Sequence, residues 1–579
     1  MISFDKILDV SNGQSKQFLV LSKHFFNRLF QNDVVSFEEQ MWEKVIAIIA
    51  ILTVFIGHFS NTLLLKYLFV PDNGTSWVEK CYFIFFFMVI VGFITVLEWD
   101  NLFPDKRDYS NLTTLPIKLR TLFMAKFTSL FIFVGMFALS ANSLATFVFW
   151  VYLPQWKSTS LLYGIRFVLV HIISVFASSF FILFAVMFLI GILMNIFNYK
   201  IFSWISTYIR AILMISFVFM MIFFLTESVS IPESFSSFPS LKENNSLFLY
   251  LFPPMWFTGL YETLLGTSDP LFFTLAKISI LAIIVLSLSF FVFAEIGYRH
   301  QISRMQEVKR KPIHLLKLKE FLLSNLNLIF LRNPVQRATF YFFGKTLRRS
   351  NLHKMRLVTY MAVSIGLILI IVAYRGIKPE NLYVINKTLL SIPLILSIFL
   401  LVGLRNIVNI PFELDNNWVF KLTEIKNKKH YFTGFRKGIF SFALLPLFTM
   451  LFILYSFLWG WESALFHCFY GLAISILLME LLFMNYRKIP FTCSYVPGKA
   501  KIQYLFPIYL FSFICYIYLM SYIEYMLFKE PSNFYIFYGA IFIFFIVIKI
   551  YQNYFLHPKS EIIYEEKPEP VLITLTQNP

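Results

Sequence analysis

Apolar residues in this chain gather into long unbroken runs, not into the alternating or three-and-four spacing of half-buried soluble elements. Twelve runs reach the roughly 20 residues that a helix needs to cross a hydrocarbon core. They lie at approximately 44–69, 78–98, 122–152, 163–196, 203–226 and 271–296, and then at 356–375, 386–408, 437–460, 464–486, 504–528 and 534–551. The run 163–196 is longer than one crossing requires, so a tilted helix or one extending past the bilayer is expected there. The pattern predicts an all-α polytopic membrane protein of about twelve transmembrane helices, arranged as two parallel six-helix repeats.

Composition agrees. The chain is 58% hydrophobic and only 14% charged, where soluble domains carry about a quarter charged residues. A net charge of +18 would suit a nucleic-acid partner, but its distribution points elsewhere. From Arg299 to Arg356, between the sixth and seventh runs, a dense series of lysines and arginines meets only Glu307 and Glu320. Lys421, Lys426, Lys428, Lys429, Arg436 and Lys437 crowd the stretch after the eighth run, whereas 227–269 has only Lys242 and 529–533 only Lys529. This alternation is the positive-inside bias. It predicts a cell (inner) membrane protein with both termini in the cytoplasm, the lipid bilayer as a partner and no nucleic acid. The polar, acidic start has no basic segment before an apolar one, so the first run itself is expected to direct insertion. The four cysteines, Cys81, Cys468, Cys493 and Cys515, form no C-x-x-C pair, and no disulfide or metal framework is expected.

Five segments follow. Residues 1–43 form an amphipathic lead-in, in which Phe18, Leu21, Phe25, Phe26, Leu29 and Phe30 recur at helical spacing, as in a helix lying in the membrane interface. Residues 44–297 hold the first six runs, 298–355 a basic cytoplasmic linker, 356–552 the second six, and 553–579 a cytoplasmic tail. The linker ends in a second amphipathic stretch, with Phe340, Phe343 and Leu347 against Arg337, Lys345, Arg348 and Arg349. Each second run of a half is followed by a polar hairpin. The first is Phe103-Pro104-Asp105 through Arg107, Asp108 and Tyr109, and the second is Pro411-Phe412-Glu413-Leu414-Asp415. Charges so clustered cost a few kcal/mol each in hydrocarbon, so both hairpins must project from the membrane. Their offset of about 310 residues is that of an internal repeat.

One outside loop breaks the symmetry. Within 227–269, the prolines Pro253 and Pro254 open a stretch containing Trp256 and Glu262. It predicts either a re-entrant helix, which protein or water must satisfy, or an interfacial aromatic anchor. The corresponding loop 529–533 is too short to do the same.

Catalytic motifs fail. Gly344-Lys345-Thr346 mimics the end of a phosphate-binding loop, but Thr339 stands where that loop needs glycine. His58, His171 and His467 have no second ligand at i+3 or i+4, so they read as packed, hydrogen-bonded histidines and no metal site is expected. No cofactor is indicated, and any ATP-driven work needs a separate subunit. Lys66, Arg166, His171, Arg210, Glu295, Arg405, Glu480 and Glu524 fall within or near runs, where ionisable groups are functional candidates. Glu480 is the deepest acid; with Arg405 it is a candidate for a polar pathway, or it pairs with a cation on another helix.

At the hairpins the chain resembles the membrane subunit of an ABC-2-type transporter with two permease halves fused. Amphipathic lead-ins, six spans per half, a charged hairpin between spans two and three, and a re-entrant element before span six carry the likeness. More narrowly, Leu102–Tyr109 with Leu115-Pro116, Arg332–Ala338 through Leu347–Ser350, and Ile489–Lys499 resemble a group of large, poorly characterised bacterial permease-like proteins. The resemblance implies a non-enzymatic permease driven by ABC ATPase subunits on the cytoplasmic side. It also implies ATPase contacts at Phe103, Pro104, Asp105, Arg107, Asp108 and Tyr109, and at Pro411, Phe412, Glu413 and Asp415. An ion-coupled secondary transporter fits the same span count. A membrane-embedded glycosyltransferase or ligase is a third reading, and a non-transporting assembly factor a fourth.

Overall fold

The computed structural model describes residues 13–30, 41–69, 75–99, 117–154, 161–197, 199–226, 238–244, 246–304, 330–374, 383–411, 417–422, 424–425, 428–484, 486, 488–492, 502–530 and 532–552. Among the described residues there is no strand, and twelve helices are long and apolar enough to cross a membrane. The protein is therefore an all-α, multi-pass membrane protein. Its contacts divide it into two compact units, Met1–Lys309 and Arg310–Pro579.

The first unit contains α1 (Gly13–Phe30), α2 (Met41–Leu64), α3 (Trp77–Leu97), α4 (Leu119–Tyr152), α5 (Leu161–Ile196) and α6 (Tyr199–Thr226). The short helices α7 (Phe238–Glu243) and α8 (Leu247–Leu251) follow, then α9 (Pro253–Leu265) and α10 (Pro270–Arg304). Beyond Glu79 and Lys80 in its first turn, helix α3 is apolar on every side, and such a helix belongs at the centre of a bundle; it packs on α5, α6 and α9. Aromatic faces lock this centre, with Phe59 stacked on Phe86 at 4.0 Å between centroids and Phe224 closing on Tyr82 at 4.7 Å. The amphipathic α1 lays Leu21, Phe25 and Leu29 against α4, where the Ser129 hydroxyl reaches the Ser22 carbonyl at 2.8 Å. Its apolar stripe thus has a protein partner.

The second unit contains α11 (Pro334–Arg349), α12 (Asn351–Tyr374), α13 (Lys387–Ile407), α14 (Asn417–Leu422), α15 (Lys429–Ile439), α16 (Leu445–Trp459), α17 (Trp461–Leu482), α18 (Ile502–Lys529) and α19 (Asn533–Tyr551). The ninth span begins earlier than its apolar run. Lys429, Arg436 and Lys437 made this stretch read as loop, yet α15 passes through one π turn, Phe440–Leu444, directly into α16. Pro446 explains the turn: its ring lacks an N–H and crowds the carbonyl four residues back, and the helix accommodates this by one widened turn. The tenth span ends at Leu482, short of the expected 486, because the chain folds back to bury Ile489, Phe491 and Thr492.

Several helix pairings recur in both units. The lead-in helix packs on the third span, the second span on the fourth and fifth, and the third on the fourth. The first span departs from this, packing on the third in one unit and on the second in the other. No counterpart of α9 is found among the described residues of the second unit.

The α11–α15 contact is closest at Gly434, where an added Cβ would stand 2.5 Å from the Gln336 carbonyl oxygen. Small residues let backbones meet this way. Gly434→Leu is expected to force the helices apart at a cost of about 1–3 kcal/mol, read as a lowered thermal unfolding midpoint in micelles. Gly539→Leu, at a position with nothing within 4 Å, is the control expected to leave the midpoint in place.

Candidate functional site

Of the hairpin residues, Phe103, Pro104, Asp105, Arg107, Asp108, Tyr109, Phe412, Glu413 and Asp415 lie outside the described residues. Pro411 is half-buried at the base of the second hairpin. The described residues that lead into the two expected hairpins are held by specific bonds. In the first, Trp99 is fully buried and its indole N–H donates to the Ser206 hydroxyl at 2.9 Å, while Arg210 donates to the Leu97 carbonyl at 2.9 Å. Helix α6, which carries both partners, thereby holds the chain as it leaves α3.

The second stem is gripped from two sides. The Val408 carbonyl accepts from the Phe491 N–H at 2.9 Å and from the Tyr486 hydroxyl at 3.3 Å. The Ile410 carbonyl lies 3.0 Å from His353 Nε2 at the start of α12, and the His353 ring meets Phe491 edge-on at 4.8 Å. Phe491 has φ of 63°, and it is the non-glycine residue with positive φ among those described. A bulky side chain in this region costs of order 1–3 kcal/mol and persists only where its surroundings over-determine it. Here the ring stacks on Phe343 of α11 at 5.6 Å, so lead-in helix and hairpin stem share one wedge.

Pro253, Pro254, Trp256 and Glu262 belong to α9. Pro253 and Pro254 fit its first turn, where no N–H is needed, and the Trp256 indole donates to the Tyr250 carbonyl at 2.7 Å. Met255, Phe257, Tyr261 and Glu262 are buried, because α9 packs among α3, α5 and α10. At Gly259 the approach to α10 is so close that a Cβ would stand 2.5 Å from the Leu275 Cβ. The helix is pinned by charge. Lys80 Nζ lies 2.5 Å from Glu262 Oε1, both side chains at least nine-tenths buried, and 4.9 Å from the Tyr261 ring centroid. Thr267 donates to the other carboxylate oxygen at 3.0 Å. The Tyr261 hydroxyl is 3.2 Å from His171 Nδ1, and His171 Nε2 is 3.3 Å from Asn142 Oδ1. Asn142 lines a cavity of about 230 Å³ between α4 and α5, together with Ser143, Thr146, Val175 and Phe176. Beside α9, Lys242 pairs with Asp269 at 2.6 Å. Partial burial opposes the Asp269 charge, but Lys242 and the Leu271 N–H both donate to it and hold its carboxyl below the ordinary range.

Known protein families, curated proteins and solved structures gave no match to this chain. The site therefore speaks through its own geometry.

Glu480 is buried and paired. Its Oε1 lies 2.6 Å from Lys549 Nζ of α19, and its Oε2 lies 3.3 Å from Arg436 Nε of α15 and 3.0 Å from the donating Gln552 amide. Three helices are thus tied at one carboxylate. Arg405 sits over the faces of Phe483 and Tyr486, at 5.6 and 5.9 Å. Sequence reading had singled out Glu480, Arg405 and Glu262 but passed over Lys80 and Arg436. Both stand near the ends of apolar runs, where a long cationic side chain ordinarily reaches for the interface. For Lys80 the signal is its place three residues inside an apolar run, beside Glu79; Arg436 stands one residue before the ninth run and carries no such signal. Gly344-Lys345-Thr346 is an ordinary segment of α11, with Gly344 packed under Phe442. Among the described residues no cluster of three or more potential metal ligands occurs.

Proposed function

We propose that this chain is the permease subunit of an ABC-2-type transporter of the cell membrane, two fused halves of like orientation moved by a separate ATPase. The observation that carries the reading is the clamping of both hairpin stems. A push on the first hairpin meets Trp99 and Leu97, already bonded to α6, and a push on the second meets Val408 and Ile410, already bonded to Phe491 and His353. Load that reaches either stem therefore passes into the neighbouring helices. The recurring helix pairings support a duplicated permease. The positive-inside bias supports cytoplasmic termini and hairpins within reach of a cytoplasmic ATPase.

Mild-detergent affinity purification of the tagged chain from its host tests this. The expected result is a co-purifying ATPase in stoichiometric amount, lost when Asp105, Lys106, Arg107 and Asp108 are changed to Ala. Unaltered co-purification and unaltered transport in the D105A/R107A double variant would sink the assignment of the first hairpin. An ion-coupled carrier is the second reading, favoured by the buried His467–Glu524 pair of the tenth and eleventh spans.

A further inference from the structure

In the second unit a histidine and a glutamate face each other inside the helix packing. His467, on the second turn of α17, and Glu524, near the end of α18, have side chains each 1% exposed, and His467 Nδ1 lies 2.6 Å from Glu524 Oε1. The remaining polar atoms, His467 Nε2 and Glu524 Oε2, are buried without a hydrogen-bond partner. From α16, Tyr455 and Trp459 cover the imidazole at 4.4 and 5.3 Å, and the Tyr455 hydroxyl is spent on the Leu389 carbonyl of α13. Cys468 and Tyr470 of α17 and Tyr538 of α19 lie within electrostatic reach of Glu524, with Tyr516 of α18 beside Tyr470. All are neutral thiols or phenols. Lys387 of α13 sits instead over the rings of Tyr522 and Tyr525, at 4.5 and 5.2 Å. Among the described residues no lysine or arginine pairs with either His467 or Glu524.

Proton bookkeeping then constrains the pair. One proton in the Nδ1···Oε1 bridge leaves it with a single negative charge. A second, on Nε2 or Oε2, makes it neutral overall, as imidazolium with carboxylate or imidazole with carboxylic acid. A lone charge held in such surroundings is disfavoured, so the closed arrangement, with α18 packed on α13 and its side chains meeting Tyr470 and Ile474 of α17, goes with two protons.

We propose that His467 and Glu524 form a proton-binding site that reports the closure of α18 against α13 and α17. When the helices part, the second proton passes to a water molecule as hydronium, and the remaining anion is hydrated. When they close, a proton is taken up again. Proton binding and helix closure are then two sides of one equilibrium, each favouring the other by the same factor. Helix α18 suits the role, since little of it is buried against the rest of the unit. The site requires no ATPase partner, so it stands apart from the permease reading.

Spin labels at Leu465 and Met526, both facing outward, report the α17–α18 distance in nanodiscs once the native cysteines are replaced. In the same pH series, ¹⁵N-histidine spectra follow His467 through the resonance that disappears in H467Q. From about pH 4 to about pH 10, which spans the unperturbed histidine and glutamate values, the distance is expected to lengthen as the His467 resonance titrates. E524Q keeps an acceptor for Nδ1–H but cannot ionise, and the pH-dependent lengthening is expected to be lost in it. A wild-type distance that does not change with pH would overturn the proposal, as would an E524Q series that follows the wild type.

Discussion

Replacing Glu480 with Ala is expected to cost the second unit about 3–5 kcal/mol, the usual penalty for stranding a buried charge. Arg436 and Lys549 both point at this carboxylate, and Arg436 has little exposed surface through which to find water instead. The loss would appear as a large drop in the unfolding midpoint of the purified chain in micelles. E480Q retains acceptor and donor atoms for Gln552 and should fall between wild type and E480A. The paired replacement E480L/R436M removes both charges of the more deeply buried contact, and because apolar replacement of buried pairs is often neutral, it should recover most of the loss. An E480A protein within about 0.5 kcal/mol of wild type, the range of an ordinary surface change, would show that the cluster bears no net load.

The second large effect is expected at Lys80. Changing it to Met leaves the Glu262 carboxylate with Thr267 as its remaining donor in the bundle, at a cost of about 3–5 kcal/mol. Because α9 is a short helix that the pair pins to α3, the strain should be relieved by local opening of α9 and not by unfolding of the whole unit. Cys81 reports this directly: it is buried beside Lys80 and hydrogen-bonds with Thr258 of α9. In a chain with Cys468, Cys493 and Cys515 changed to Ala, maleimide labelling of Cys81 should accelerate by about a hundredfold or more in K80M, since each 1.4 kcal/mol is tenfold. K80M/E262L should return it toward the wild-type rate. Equal protection of Cys81 in K80M and wild type would mean that packing alone holds α9 in place.

The span count, the all-helical class and the lead-in helices were readable because a hydrocarbon solvent writes itself plainly into composition. What could not be read is who meets whom. His467 and Glu524 are 57 residues apart and belong to different spans, and no local periodicity links them. Lys80 and Glu262 are 182 residues apart, and Lys80 stands where a helix-end cation ordinarily reaches for the interface. Pro253 and Glu262 were legible as an unusual loop, but whether that loop lay on a membrane surface or among helices depended on Gly259 and its fit to α10. The ninth span was read too short for the opposite reason. Its first turns are cationic because they face α11 and Glu480, and polarity was taken for exposure.

Helices α18 and α19 have the smallest buried shares of the twelve spans. In lipid there is no hydrophobic gain from pressing one apolar helix on another, so association rests on close packing and polar bonds. Among the described residues, the polar bonds that join these two helices to other spans include Glu524 to His467, Tyr470 to the Met520 carbonyl, and Lys549 and Gln552 to Glu480. Both helices also leave the ribosome after α12 through α17. Those bonds are made only once α18 and α19 have inserted, and α12 through α17 can assemble before the bonds exist.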